Sequence, residues 1–384
     1  MKVPTTRVFV MGGYGFHNFG DDCLMIACHE LLKRTLSNSD YTFLCRDLDY
    51  PQKLISGVQV ISSNIKSDLM CELLLYGGGT QFYSFKKTIS EYLKKGFSAI
   101  SNPVKTIARI RSIYSLKYSV HCTYSAAIGV GFGPFVPGSV AIERAEKIAK
   151  NLDYLSVRDV VSESLCRQWG LQSFSVYTDL CFWPHLRELF EIETSHIPKR
   201  SLHSMGIIVR DWPHDKIGDA YTEQVFEVAG RLQSQGVKVY FILFAGSDVI
   251  WTSRIGDKFP VMKWDPMKFT VANFLGSLRQ FDLLMTARYH GAIFASLLGI
   301  PFISIGIEPK LSMVAQLLGV GEYIWRFPYD VDVCMKLIEL AVDHHDEIQQ
   351  AMELSVATQS QLSAKMISEF TTFLHSKELK TLKE

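Results

Sequence analysis

Residues Thr286–Lys310 read TARYHGAIFASLLGIPFISIGIEPK, and the order of runs in and around this stretch decides the fold class. Just before it, Phe281–Met285 is an apolar run of strand length. Ala292–Leu298 has the small, apolar make-up of a buried helix. Pro301–Ile305 is a second short apolar run, of the kind expected for a parallel strand covered on both faces. A strand–helix–strand unit so built places Arg288, His290 and Gly291 after its first strand, and Glu308 and Lys310 after its second. Ligands of open α/β sheets bind at the carboxyl ends of the strands, so the stretch predicts two cations and an imidazole at a ligand edge.

The same rhythm recurs on both sides. Arg7–Met11 reads as a strand, and the loop Gly12-Gly13-Tyr14-Gly15-Phe16-His17-Asn18-Phe19-Gly20-Asp21 leads into a helix with Leu24, Ala27, Cys28 and Leu31 on one face. Asp21 or Asp22 is a natural N-cap for that helix. Glycines let such a loop present N–H groups to an anion, but the pattern is not the GxGxxG of dinucleotide sites. Further strands are expected at Tyr41–Cys45, Val58–Ile61 and Leu73–Tyr76, the last running into Gly77-Gly78-Gly79. Ser119–Ile128, Tyr154–Val157 and Ser175–Tyr177 follow. Phe182–Ser204 lacks the rhythm and reads as a linker. Met205–Arg210 then restarts it, followed by a helix at Glu223–Gln235, a strand at Val237–Phe244 and a helix at Pro266–Arg279.

The alternation predicts an α/β protein of two doubly wound (Rossmann-like) domains facing across a cleft, a GT-B-like architecture. The expected boundaries are 1–181 for the N-terminal domain, 182–204 for the linker, 205–329 for the C-terminal domain and 330–384 for a helical segment. A chain of 384 residues suits two domains. His344-His345 in the last segment lack partners for a metal site and read as surface residues.

Composition narrows the function classes. The net charge of +1 argues neither for nucleic acid nor for an acidic partner, and no nucleic acid is expected. Eight cysteines form no CxxC pair or zinc-type spacing, so they read as reduced, mostly buried thiols of a cytoplasmic protein, and no metal site is expected. No apolar run reaches the roughly 20 residues that span a bilayer. One block, 82–118, stands apart as a basic, aromatic insertion. Phe82–Lys117 carries eight Lys/Arg against the single acid Glu91, with six aromatic residues interleaved. It fits an acceptor-binding lid, a peripheral contact with anionic lipid at the inner face of the membrane, or a solvated helical insertion.

Taken in order, these pieces resemble the polysaccharide pyruvyl transferase family. The resemblance rests on the loop Gly12–Asp21, similar to a family pattern G-x-x-G-x-x-N-x-G-D, and on Tyr76–Gly79, Gly131-Phe132-Gly133-Pro134 and Ser156-Val157-Arg158-Asp159. Thr178-Asp179, Arg210 and Arg288-Tyr289-His290-Gly291 with Lys310 complete it. Tyr289 departs mildly from the leucine frequent there. The resemblance implies transfer of the pyruvate unit of phosphoenolpyruvate onto two hydroxyls of a glycan sugar, giving a cyclic ketal and phosphate. No cofactor is implied beyond phosphoenolpyruvate as co-substrate.

Phosphoenolpyruvate carries a phosphate and a carboxylate on three carbons, so binding it asks for cations converging on a small volume. Arg288, Lys310 and Arg210, with the Gly291 backbone, are the expected donor-binding set. His290 is the expected general acid/base, because it alone in the stretch exchanges protons near neutral pH. Asn18, Asp21, Gly78 and Gly79 are expected to bind the acceptor from the first domain; a lipid-linked acceptor would give the basic block a reason. Asp179 and Arg158 receive no catalytic role. Two rival readings remain open. A GT-B glycosyltransferase using a nucleotide sugar would usually carry a Glu-x7-Glu pair, yet Gln316 stands eight residues after Glu308. A non-catalytic carbohydrate-binding or scaffold protein would tolerate loss of the loop residues, all of which are present.

Overall fold

A computed structural model describes residues 7–36, 40–65, 68–85, 120–194, 201–214 and 216–379. The basic insertion expected over 82–118 therefore lies, from position 86 on, outside the described residues. Two all-parallel sheets carry the fold. The first has seven strands in the order β3-β2-β1-β4-β5-β6-β7, and the second six in the order β10-β9-β8-β11-β12-β13. Both are doubly wound: the chain starts at an inner strand, builds to one edge, then returns to build to the other.

In the first sheet the strands are β1 (Val8–Met11), β2 (Tyr41–Cys45), β3 (Gln59–Ser62), β4 (Leu69–Phe82), β5 (Val120–Phe132), β6 (Tyr154–Val157) and β7 (Ser175–Val176). Helix α1 (Phe19–Lys33) follows β1, α2 (Asp49–Leu54) follows β2, α3 (Val140–Lys150) follows β5, and α4 (Val160–Gln168) follows β6. The α4 start is fixed by Asp159, whose carboxylate accepts the Ser162 N–H at 2.8 Å. Val130, Val157, Phe132 and Trp169 close the core beneath α3 and α4.

The longest difference from the sequence reading is in β4. Gly77, Gly78 and Gly79 were expected in a loop after a strand ending at Tyr76. They lie inside a 14-residue strand, paired with Ile128–Val130 of β5. Gly78 and Gly79 take φ of 65° and 74°, which an L-residue adopts only with strain, and so the glycines let the ladder continue.

The second sheet comprises β8 (Ser204–Val209), β9 (Lys238–Leu243), β10 (Val261–Lys263), β11 (Leu283–Thr286), β12 (Phe302–Ile305) and β13 (Ile324–Trp325). A short helix α5 (Pro184–Leu189) precedes it. Its helices are α6 (Lys216–Ser234), α7 (Val249–Ile255), α8 (Val271–Leu278), α9 (Tyr289–Leu298), α10 (Pro309–Leu317), α11 (Val331–Asp343) and α12 (His345–Ser376). The opening stretch is β11–α9–β12–α10. Helix α9 is apolar all round because Gly291–Leu298 is buried throughout, and it ends at Gly299, whose φ of 71° caps it in the left-handed region.

The described residues fall into two compact units, divided otherwise than at the expected 182–204 linker. One comprises the chain up to Gly15, Cys28–Tyr177 and the chain from Met366 on. The other comprises Phe16–Ala27 and Thr178–Lys365. Residues 16–27, the end of the first loop and the start of α1, expected with the N-terminal domain, thus belong to the second unit. The reason is packing: the fully buried ring of Phe19 lies 4.9–5.1 Å from those of Phe244, Trp264, Phe274 and Phe294. In addition, Phe19 N–H donates to Phe244 O at 2.8 Å. The end of α12 packs in the first unit, with Phe370 and Phe373 against Tyr154.

All described cysteines are free thiols, and six of the eight are buried. His345 is a correction: it is buried, at 6% exposure, and opens α12. Among the described residues no helix is long and apolar enough to cross a membrane.

Candidate functional site

The carboxyl ends of four neighbouring strands in the second sheet, β9, β8, β11 and β12, supply a set of charged side chains. The junction between β8 and β11 is where the winding reverses, the place such sheets open a ligand crevice. Arg210 directly follows β8, Arg288 and His290 follow β11, and Glu308 and Lys310 follow β12.

Two buried carboxylates organise the cations. Glu308 has a side chain only 1% exposed, and both Arg210 and Lys310 meet its Oε1 atom, Lys310 Nζ at 3.1 Å and Arg210 through a short ion pair. Burial alone would push the Glu308 carboxyl up, but Lys310 and Arg210 outweigh it and hold the group below its ordinary range. Asp248, fully buried, does the same for Arg288 by a short ion pair. Asp248 is itself fixed by the Ala245 N–H at 3.0 Å. Burial pulls the Arg288 guanidinium down, Asp248 opposes that, and Arg210 lies near enough to add to the lowering. Arg210 also stacks on Trp212, its guanidinium carbon 4.8 Å from the ring centroid. Its backbone N–H donates to the hydroxyl of Tyr221 at 3.2 Å, and burial pushes that phenol up.

The turn after β11 is tied by a hydroxyl. Thr286 Oγ1 accepts the Arg288 N–H at 3.0 Å and donates to Arg288 O at 2.9 Å. A Cβ at Gly291 would collide with that hydroxyl, so Gly291 is required by close approach. His290 sits on the first turn of α9 with its side chain 14% exposed. Its Nε2 is buried without a hydrogen-bond partner among the described residues, 3.7 Å from Asp179 Oδ2. Its other ring nitrogen faces Gly20, where any Cβ would fall inside the imidazole.

That contact brings the N-terminal loop into the site. Helix α1 begins at Phe19, so Asp21 and Asp22 lie within its first turn and neither is the expected N-cap. Asp21 Oδ2 instead accepts from Asn18 Nδ2 at 2.6 Å, and Asp22, fully buried, accepts from Trp264 Nε1 at 2.7 Å. Asn18 and Asp21 therefore stand in the same unit as His290 rather than on a wall contributed by the first domain. Gly78 and Gly79 lie in the other unit, buried within β4.

Sequence reasoning missed Asp248 and the contact of Gly20, and it gave no catalytic role to Asp179, which the structure sets beside His290. Asp179 precedes the single turn Leu180–Phe182 and accepts the Cys181 N–H at 3.0 Å through Oδ1, which leaves Oδ2 toward His290. Cys181 is buried nearby. One ligand atom each from Asp179, Cys181 and His290 lie within 4.8 Å of one another, a set of O, S and N donors that no spacing in the sequence shows.

A parallel two-domain α/β architecture with its charged edge on the second sheet is the class to which GT-B-like proteins belong, and solved structures of that class share the fold. A UDP-N-acetylglucosamine 2-epimerase from Listeria monocytogenes superposes with TM-score 0.57 at 9% identity, over 97% of each chain. MnaA of S. aureus, solved with UDP, gives 0.55 at 10%, again over 97% of each chain. Anabaena HepE, solved with UDP and glucose, gives 0.54 at 10%, over 97% of this chain and all of that one. At such identities the likeness is one of fold alone. No curated protein sequence matches the chain. The family is decided by sequence: the model of the polysaccharide pyruvyl transferases matches residues 18–309, and the chain belongs to that family. It is a transferase, with pyruvyl transfer in polysaccharide synthesis as its general role and a glycan as acceptor.

Proposed function

We propose that the protein transfers the pyruvyl unit of phosphoenolpyruvate to two hydroxyls of one glycan sugar, forming a cyclic ketal and releasing phosphate. The observation that carries this reading is the meeting of Arg210 and Lys310 on one oxygen of Glu308, with Arg288 following the adjacent strand. Three cations held by two buried acids keep their geometry without a ligand, so a small polyanion can enter a prearranged site. Arg288 and Arg210 suit bidentate contact with carboxylate or phosphate, and Lys310 acts as a point charge.

In the reaction, a proton is added to the methylene carbon of the enol, and the adjacent carbon takes up positive character. One sugar hydroxyl attacks that carbon and loses its proton. Phosphate leaves with the bridging oxygen, and the second hydroxyl closes the ring and releases another proton. His290 supplies the first proton and recovers one from a hydroxyl. With Nε2 turned to Asp179, the nitrogen beside Gly20 is the one that exchanges. Asn18 and Asp21, which flank Gly20 at the start of α1, then bind the acceptor hydroxyls. The basic block 82–118 suits a lipid-linked acceptor at the inner face of the membrane, as cationic segments attract anionic lipid.

The test is release of inorganic phosphate from phosphoenolpyruvate in the presence of a glycan acceptor. Acceptor-dependent release that falls in a His290→Ala variant supports the reading. Release independent of acceptor, or none with any glycan while a nucleotide sugar is consumed, overturns it.

A further inference from the structure

Asp179, Cys181 and His290 present a carboxylate, a thiol and an imidazole to one buried point, and the pyruvyl-transfer reading uses only the last. Their origin is local. Asp179 and Cys181 are two residues apart, so the turn that Asp179 caps brings both side chains to one side. His290 reaches the same point from the first turn of α9.

The spacing of the donors is informative. Nε2 of His290 is buried and has no hydrogen-bond partner among the described residues; at 3.7 Å the Asp179 oxygen is too far to be one. Two ligands bonded at about 2.0–2.1 Å to one tetrahedral zinc stand roughly 3.4 Å apart. The nitrogen and oxygen are therefore placed better as neighbours in a coordination shell than as donor and acceptor. Cys181 completes the set, with one ligand atom of each residue within 4.8 Å of the others. Mixed O, S and N donors favour borderline divalent ions of the zinc type over magnesium or calcium, which take oxygen.

We propose that Asp179 Oδ2, Cys181 Sγ and His290 Nε2 form a three-ligand site for a zinc-type divalent cation. On binding, the Cys181 thiol loses its proton to solvent and the thiolate sulfur bonds the metal. The fourth position stays open to water or an anion. A further consequence rests on the catalytic role given to His290 above. With its Nε2 lone pair on the metal, the ring keeps the other nitrogen's proton and has no site for a second, so it can no longer cycle between imidazole and imidazolium. The ion is then an inhibitor that silences turnover.

Cobalt(II) titration of the purified full chain, freed of metal by chelator, tests the site without reference to activity. One equivalent should give tetrahedral ligand-field bands and a thiolate-to-cobalt charge-transfer band, both displaced by zinc. Cys181→Ser should abolish the charge-transfer band, while Cys23→Ser, altering the buried cysteine beside Asp22 and Asp179, should retain it. Circular dichroism confirms that each variant is folded, and the wild-type titration stands without them. No charge-transfer band in the wild type, or one that persists in Cys181→Ser, overturns the site. Zinc should lower wild-type phosphate release by at least ~10²-fold, the low end for loss of a general acid–base. Binding with undiminished turnover would leave the site standing and overturn the role of His290 instead.

Discussion

The carboxyl edges of the two sheets are built from opposite materials. The edge of the six-stranded sheet holds Arg210, Arg288, Lys310, His290, Glu308 and Asp248, with the two acids buried and each ion-paired to partly buried cations. The edge of the seven-stranded sheet is made of glycine and hydroxyls. Gly129 N–H donates to Ser156 Oγ at 3.0 Å, Phe132 N–H to Ser162 Oγ at 2.8 Å, and Tyr14 donates its hydroxyl proton to Gly77 O at 2.5 Å. Its cation Arg158 donates to Thr80 Oγ1 at 2.7 Å. Buried charge costs several kcal/mol per ion unless paired, and on the six-stranded sheet two buried acids do the pairing. One edge gathers three cations on two acids. The other offers close backbone approach, with the buried cation Arg158 beside Asp159.

The contrast can be broken at several points. The largest effect is expected from His290→Ala, which should lower turnover by ~10³-fold, within the range for loss of a general acid–base, while donor binding stays intact. Steady-state phosphate release and donor titration together check this. Gly20→Ala should act on the same ring without removing it. Its methyl must displace the imidazole, and a misplacement of about 1 Å can cost ~10²-fold, read as a fall in kcat at an unchanged donor affinity. Lys310→Met removes a charged hydrogen-bonding partner and should weaken donor binding by roughly 10-fold, read as a raised KM.

Two smaller effects concern stability. The folded Glu308 carboxyl titrates below its unfolded counterpart. Its contribution is thus present above the unfolded value, about 4.3, and is lost as pH falls through the lower folded value. Wild-type stability should drop on acidification below that value, and Glu308→Gln should flatten the acid limb in pH-dependent denaturant melts. Gly79→Ala places a side chain at a φ of 74° and should cost on the order of 1–2 kcal/mol, with little effect on donor affinity.

Much of this was legible in the sequence because parallel strands buried on both faces leave continuous apolar runs. Strands at Tyr41–Cys45 and Tyr154–Val157 fall where the runs place them, and the β11–α9–β12 unit reads almost directly. The cations at its edge follow from the same pattern. Contacts between distant residues do not. Asp179 lies 111 positions before His290, Asp248 lies 40 before Arg288, and no local periodicity links either pair. The assignment of residues 16–27 to the second unit depends on Phe19 entering a ring cluster drawn from Phe244 to Phe294, which a pattern of i, i+3, i+4 spacing cannot express. Gly77–Gly79 misled for a further reason: glycine triplets mark loops more often than strands, and here they serve a strand that needs positive φ.

Thermal unfolding of the wild-type chain with phosphoenolpyruvate or with a nucleotide sugar tests the donor assignment most directly. A ligand that binds only the folded state adds about 2.7 kcal/mol at a concentration of 100 Kd. Phosphoenolpyruvate should therefore raise Tm by several degrees, with the rise diminished in Lys310→Met, and UDP-glucose should leave Tm unchanged. Stabilisation by the nucleotide sugar alone would contradict the account.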